Sequence, residues 1–177
     1  MRVIAGKYKR TILNTLEGND TRPTKDMVKE ALFSSIDIDS TTIFLDLFAG
    51  SGAIGIEAIS RGSKSVIMND INPKAVTIIK ANLAKIKERV IVYNLDWKSC
   101  LSKLGGKQFD IIFLDPPYAF NEYTKLFDAL IKFNILKKDA IIIWEVRKGT
   151  TIEEHPNFRC IKEKNYGITQ VLYYKEV

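Results

Sequence analysis

Soft metal ligands are scarce in this chain of 177 residues, which has two cysteines, Cys100 and Cys160, and one histidine, His155. A disulfide framework or a zinc cluster needs more, so neither is expected and no metal is assigned. Long apolar runs are missing too, and none approaches the ~20 residues of a membrane span. The N-terminus is charged and lacks the apolar stretch of a signal peptide, so the sequence predicts a cytoplasmic protein without membrane contact. No repeat, low-complexity tract or linker interrupts the chain, whose length suits one ordinary domain.

Acidic side chains are absent from the first thirteen residues, which hold Arg2, Lys7, Lys9 and Arg10. The whole chain carries a net charge of +6. Such an excess suits a phosphate-rich partner. The N-terminal cluster therefore reads as a nucleic-acid-facing segment, with a merely solvated basic face as the alternative.

Arg2 to Ile4 and Thr11 to Leu13 read as two short strands around a turn at 5–10, an N-terminal hairpin. After a loop over Glu17 to Asp20, Arg22-Pro23-Thr24 starts a helix with Thr24 as its N-cap and Met27, Ala31, Leu32 and Ser35 along one face. Strands at 43–47, 65–69, 90–94, 109–115 and 140–144 then alternate with helices at 53–61, 73–87, 97–104 and 121–133. The tail at 158–174 reads as a strand pair around Tyr166-Gly167. Alternation of this kind predicts an α/β fold, a mostly parallel sheet with helices on both faces and an antiparallel closing hairpin. Residues 1–40 form the extension and 41–177 the sheet domain in this reading.

Gly50-Ser51-Gly52-Ala53-Ile54-Gly55 fits G-x-G-x-x-G directly after a strand and into a helix, where backbone can approach a ligand. Asp70, at the end of the next strand, can bind a ribose hydroxyl pair, with Ile71 beside it. Asp46, before the glycine turn, would repel a pyrophosphate but can hold an ammonium. Asp96, followed by Trp97, can accept from an adenine amine. Each carboxylate alone could equally cap a strand or a helix. Together they favour a nucleoside joined to an amino acid, S-adenosylmethionine, over a nicotinamide dinucleotide.

Asp115-Pro116-Pro117-Tyr118 sits where a buried strand runs out, and two prolines forbid both a continued ladder and a helix. That puts a carboxylate, a carbonyl and an aromatic ring together at a strand's carboxyl end, where open α/β sheets bind ligands. Such a group can hold a flat base and accept from its amine. Neither cysteine follows a proline at a strand end, which argues against cysteine-dependent chemistry. Cys100 reads as core, His155 as a surface residue, Trp144 as packed, and the lysines at 74–87 as a solvated face.

Leu45-Asp46-Leu47-Phe48-Ala49-Gly50-Ser51-Gly52 resembles the first cofactor motif of class I methyltransferases, and Asp115 to Tyr118 the (Asn/Asp)-Pro-Pro-aromatic motif of those that methylate exocyclic amines. Arg2-Val3-Ile4-Ala5-Gly6, Arg22-Pro23-Thr24 with Val28 to Phe33, and Gly55 to Gly62 resemble the RsmD family over nearly the whole chain. Ala5, where Gly is frequent, and Arg10, where a Gly-Arg pair is usual, depart from that pattern. The resemblance implies a seven-stranded Rossmann-like class I fold and N2-methylation of a guanine in 16S ribosomal RNA, naked or in the assembling 30S subunit. It also implies S-adenosylmethionine as methyl donor, S-adenosylhomocysteine as product, and a monomer. Asp115 and Pro116 would accept the amine's hydrogens, Pro117 would stiffen the turn and Tyr118 would stack on the base. Thr24, Asp46, Phe48 to Gly52, Asp70, Ile71, Asp96 and Trp97 would line the cofactor, and Arg2, Lys7, Lys9, Arg10 and Arg22 would face RNA. Arg22 and Thr24 read as well as a helix start. Adenine N6, a protein glutamine, a nicotinamide enzyme and a non-catalytic RNA-binding module are the alternatives.

Overall fold

Branched and aromatic residues build the sheet, and their alternation sends successive side chains to opposite faces. The computed structural model describes residues 1–16 and 23–177, the side chains of Pro23 and Thr24 excepted. Seven strands, β1 (Ile43–Asp46), β2 (Ser65–Asn69), β3 (Ile91–Tyr93), β4 (Phe109–Leu114), β5 (Leu136–Arg147), β6 (Phe158–Tyr166) and β7 (Thr169–Glu176), lie in the order β3-β2-β1-β4-β5-β7-β6. The first five are mutually parallel, and β7 runs antiparallel to both β5 and β6. The chain winds outward from β1 to β3, then returns to place β4 on the other side of β1. That reversal opens a crevice at the carboxyl ends of β1 and β4.

Helices α1 (Pro23–Phe33), α2 (Ala53–Ser60) and α3 (Pro73–Ile86) cover one face. Val28, Leu32, Ile56, Ile79 and Leu83 pack there on Phe44, Met68, Phe113 and Ile143. Helices α4 (Trp97–Lys103) and α5 (Tyr123–Lys132) cover the other. Cys100, Leu101, Phe127 and Leu130 pack there on Leu45, Ile112, Leu114 and Trp144. Helix α3 starts at Pro73, its N-cap Asn72 accepting from the Lys74 N–H at 3.0 Å.

Four expectations need correction. Helix α1 begins at Pro23, so Thr24 is its second residue and not its cap. Its buried side carries Val28, Lys29, Leu32 and Phe33, while Met27 is exposed, because the stripe toward the sheet is rotated by one position. His155 is buried, its ring tilted against those of Phe127 and Phe158, with Nε2 3.0 Å from the Asp128 carboxylate. Strand β5 also runs longer than 140–144, because its C-terminal half gains β7 as a partner.

The N-terminal segment makes one antiparallel bridge, Arg2 to Ile12, and docks on α2 and α3. Glu57, buried on α2, accepts the N–H groups of Ile4 at 2.8 Å and Ala5 at 3.0 Å. It also faces Lys29 at 3.4 Å and Arg61 at 2.9 Å. At the end of α2 the Ser60 carbonyl accepts from the Lys7 N–H at 2.8 Å. Gly6 (φ +82°) passes so close that a Cβ would lie 1.8 Å from that carbonyl oxygen. A glutamine at 57 cannot accept both amides or balance Lys29, which is 2% exposed. Glu57→Gln should cost about 3–5 kcal/mol and loosen the hairpin, read by thermal unfolding and by limited proteolysis ahead of residue 16. Wild-type stability with unchanged cleavage would overturn this account of the anchor.

Candidate active site

The crevice at the β1–β4 reversal is lined by the glycine turn, by Lys25, Val28 and Lys29 of α1, by Met1, Thr15 and Leu16, and by Asp46, Asp115 and Glu145. The glycine turn is pinned from beneath. Asp70 accepts the Gly50 N–H at 2.8 Å, and Asp46 Oδ2 accepts the Gly55 N–H at 3.0 Å. Gly50 is left-handed (φ +55°) and a Cβ there would meet no atom within 4 Å, so the chain keeps that space clear. Gly55 is packed instead, its hypothetical Cβ 2.7 Å from the Met68 sulfur. The helix and strand could not approach with a larger residue there.

Asp46 is 1% exposed, and its Oδ1 has no hydrogen-bond partner among the described residues. Burial, with Asp115 and Asp70 adding like charge, pushes its carboxyl up to about 8. Burial, with the nearby Asp46 charge, likewise pushes Glu145 up to about 7, Lys25 opposing. Asp115 is walled by protein but opens to solvent through the cleft mouth. The walls and the Glu145 charge raise its carboxyl well above the usual range, Lys25 opposing, and water at the mouth tempers that rise. The cleft is thus poor in donors and rich in carboxylate oxygens. It suits a ligand bearing an ammonium and amine hydrogens, which is what S-adenosylmethionine's amino-acid end and a base amine present.

Among the residues expected from sequence, Asp46, Phe48, Ala49, Gly50, Ser51 and Asp115 line this one cleft. Gly52, left-handed at φ +77°, lies beneath the turn and caps α2. Asp70 spends its second oxygen on the Asn72 N–H, and Ile71 next to it is exposed. Asp96 caps α4, receiving the Ser99 N–H and hydroxyl, while Trp97 packs edge-on to Phe120. Pro116 is buried, Pro117 exposed with its carbonyl accepting from Phe120, and Tyr118 stands out at 84% exposure. Arg2, Lys7, Lys9 and Arg10 are exposed, Arg2 3.8 Å from Asp26 and Lys7 near Glu88. Arg22 and the side chain of Thr24 lie outside the described residues.

Sequence reasoning missed Lys25, Lys29, Glu145 and Asn82. Asn82, a polar residue in the apolar stripe of α3, donates to the Ser51 carbonyl at 3.0 Å and exchanges hydrogen bonds with the Asn14 backbone. That break in the stripe was the available signal. Glu145 offered a comparable one, as a carboxylate inside the apolar run of β5.

A family model described as conserved hypothetical protein 95 matches residues 1–175. Ribosomal RNA small subunit methyltransferase D of Haemophilus influenzae is 35% identical, covering 99% of this chain and 93% of that protein. A Bacillus subtilis protein named provisionally as an rRNA methyltransferase is 36% identical over 99% of both chains. A solved Escherichia coli structure, provisionally titled a methyltransferase, superposes with a TM-score of 0.83 at 28% identity, covering 99% of this chain and 97% of that one. The seven-stranded, mostly parallel sheet with its closing antiparallel hairpin is the class I methyltransferase fold. The chain therefore belongs to the family described as conserved hypothetical protein 95, that of the ribosomal RNA small subunit methyltransferase D proteins.

Proposed function

We propose that this protein uses S-adenosylmethionine to methylate the N2 amine of a guanine in 16S ribosomal RNA, presented by the assembling 30S subunit. The observation that carries the reading is the shared cleft: Asp46, whose Oδ1 has no partner among the described residues, the glycine turn, and Asp115 of Asp115-Pro116-Pro117-Tyr118 line the same space. Relatives named for ribosomal RNA methylation support the substrate class. The enzyme acts as a cytoplasmic monomer, with residues 1–40 as the RNA-facing extension and 41–177 as the catalytic domain. No helix among the described residues is long and apolar enough to cross a membrane, in keeping with this reading.

Asp46 would receive the cofactor's ammonium through its free oxygen, the Phe48 to Gly52 backbone would follow its chain, and Thr24 would cover that end. Asp70 would take the ribose hydroxyls with the lone pairs that its two backbone partners leave. Ile71, Asp96 and Trp97 would border the adenine. Bound cofactor supplies a methyl group on a positive sulfur. The protein's own task is to position the amine and strip its hydrogens, since guanine's N2 lone pair is delocalised into the ring. Asp115 and the Pro116 carbonyl would accept those hydrogens, so that the pair localises on nitrogen, takes up the methyl as its bond to sulfur breaks with the bonding pair left on sulfur, and releases one proton toward the carboxylate. Tyr118 offers a ring for stacking, worth about 1–3 kcal/mol. Arg2, Lys7, Lys9, Arg10 and Arg22 meet phosphates, so the RNA is read by shape and backbone.

Labelled methyl transfer to unmethylated small subunits, naked 16S RNA and DNA should give N2-methylguanosine from the ribosomal substrates, while N6-methyladenine would sink the target. Asp115→Ala should lower kcat by about 10²–10⁴ with RNA and cofactor binding kept, and Asp115→Asn, which retains an acceptor carbonyl, should fall less. Full activity in the alanine variant would remove Asp115 from the mechanism.

Asp46 sets a pH signature on the ligand-free protein. Its folded-state carboxyl, near 8, lies above the unfolded value, so the folded chain holds a proton that the unfolded chain has released. The stability that Asp46 contributes is then fully present below the ordinary carboxylate value and is lost as pH rises toward about 8. Asp46→Asn should flatten that slope and raise the melting temperature at pH 8–9, by about 2–4 °C per kcal/mol relieved, while weakening cofactor binding. An unaltered slope in melting scans from pH 5 to 9 would contradict the assignment.

A further inference from the structure

We propose that Glu145 accepts the N1–H of the target guanine while Asp115 takes its N2 amine, which makes Glu145 the residue that separates guanine from adenine. The inference rests on the guanine-N2 reading above and names how that site chooses its base. Strands β4 and β5 are parallel neighbours with Leu114 beside Trp144, so Asp115 and Glu145 are the next residues of each. Leu114 and Trp144 point into the α4–α5 core, and Phe113 and Ile143 into the opposite one. Alternation therefore sends both carboxylates to the α1 side, where both line the cleft. Among the described residues none donates a hydrogen bond to the Glu145 carboxylate, and the side chain lines the cleft. Asp46, whose buried Oδ1 has no partner among the described residues, lines the same cleft, which is therefore rich in carboxylate oxygens.

Guanine's Watson–Crick edge offers two adjacent donors, the N1–H and the N2 amine. Adenine sets an acceptor, N1, beside its only amine. An ionised carboxylate accepts and cannot donate, so two carboxylates on neighbouring strands match the first edge and oppose the second. A buried acceptor set against another acceptor is left unsatisfied, and that penalty is the source of strong discrimination. Burial, with the Asp46 charge adding and Lys25 opposing, holds Glu145 at about 7 in the ligand-free cleft, and a base that brings donors favours its ionised form.

The test uses small subunits reassembled with the methylated guanosine, once mapped, replaced by 2-aminopurine, which keeps the amine but presents N1 as an acceptor. A second replacement, 6-thioguanosine, keeps N1–H and changes only the C6 substituent. Wild type should prefer guanosine over 2-aminopurine by about 10- to 100-fold in kcat/KM, with 6-thioguanosine close to guanosine. Glu145→Gln, whose amide can donate to N1, should lose rate on guanosine and bring the two bases to within about threefold. Equal losses on both bases would assign Glu145 a structural role and overturn the proposal, as would wild-type indifference to 2-aminopurine, a result needing no variant. Methyl transfer to no guanosine at all, with cofactor bound, would bring down the functional reading itself.

Discussion

The carboxylate of Glu57 has no exposure to solvent and holds four groups at once: two backbone amides of the N-terminal segment, Lys29 of α1 and Arg61 at the end of its own helix. Removing a carboxylate from water is expensive unless its lone pairs are filled and its charge is balanced. Here both conditions are met, but only if hairpin, α1 and α2 are in place together. Lys29 adds the carbonyl of Arg2 at 2.5 Å, so the same ammonium ties α1 to the hairpin. Burial lowers that lysine's affinity for its proton, and the Glu57 charge opposes the loss. The three elements thus fold as one unit. The wall that α1 contributes to the cleft depends on an ion pair whose lysine lines the cleft and whose carboxylate, Glu57, lies behind it.

The cleft follows the opposite logic. Its carboxylates are left short of partners. Among the described residues, Asp46 has one amide and no facing cation, and Asp115 and Glu145 share the influence of Lys25. Such groups raise the energy of the ligand-free state, and a cationic, donor-bearing ligand relieves it. The sheet can carry that load because large apolar side chains pack beneath it, with Phe44, Leu45, Phe113 and Ile143 all buried. Asn82 joins the two regions, since one side chain holds both Ser51 of the glycine turn and Asn14 of the returning hairpin strand.

The parallel core was legible because its strands are short apolar runs bounded by Gly, Pro and Asp, and each met a helix of matching period. Asp46 and Asp115 were legible for the same reason, as strand-end carboxylates followed by chain breakers. Glu145 was not, because β5 continues past it to pair with β7 and gives no terminal signal. His155 misled because polar neighbours and Pro156 suggest a loop, whereas aromatic residues distant in sequence enclose it. The rotation of α1 was lost to Lys29, a charged residue that counts as surface in any pattern but is buried against Glu57.

Both outer borders of the sheet are blunted. On one side β3 is three residues long. On the other β6 shifts register between Cys160 and Lys162 and carries Arg159, Lys162 and Lys164. An unpaired strand is a template on which a second chain can add, and short length, irregularity and positive charge each discourage that addition. Two copies of this protein brought together at their β6 edges would meet a broken ladder and like charges, so the sheet has no ready route to extend from one molecule into the next.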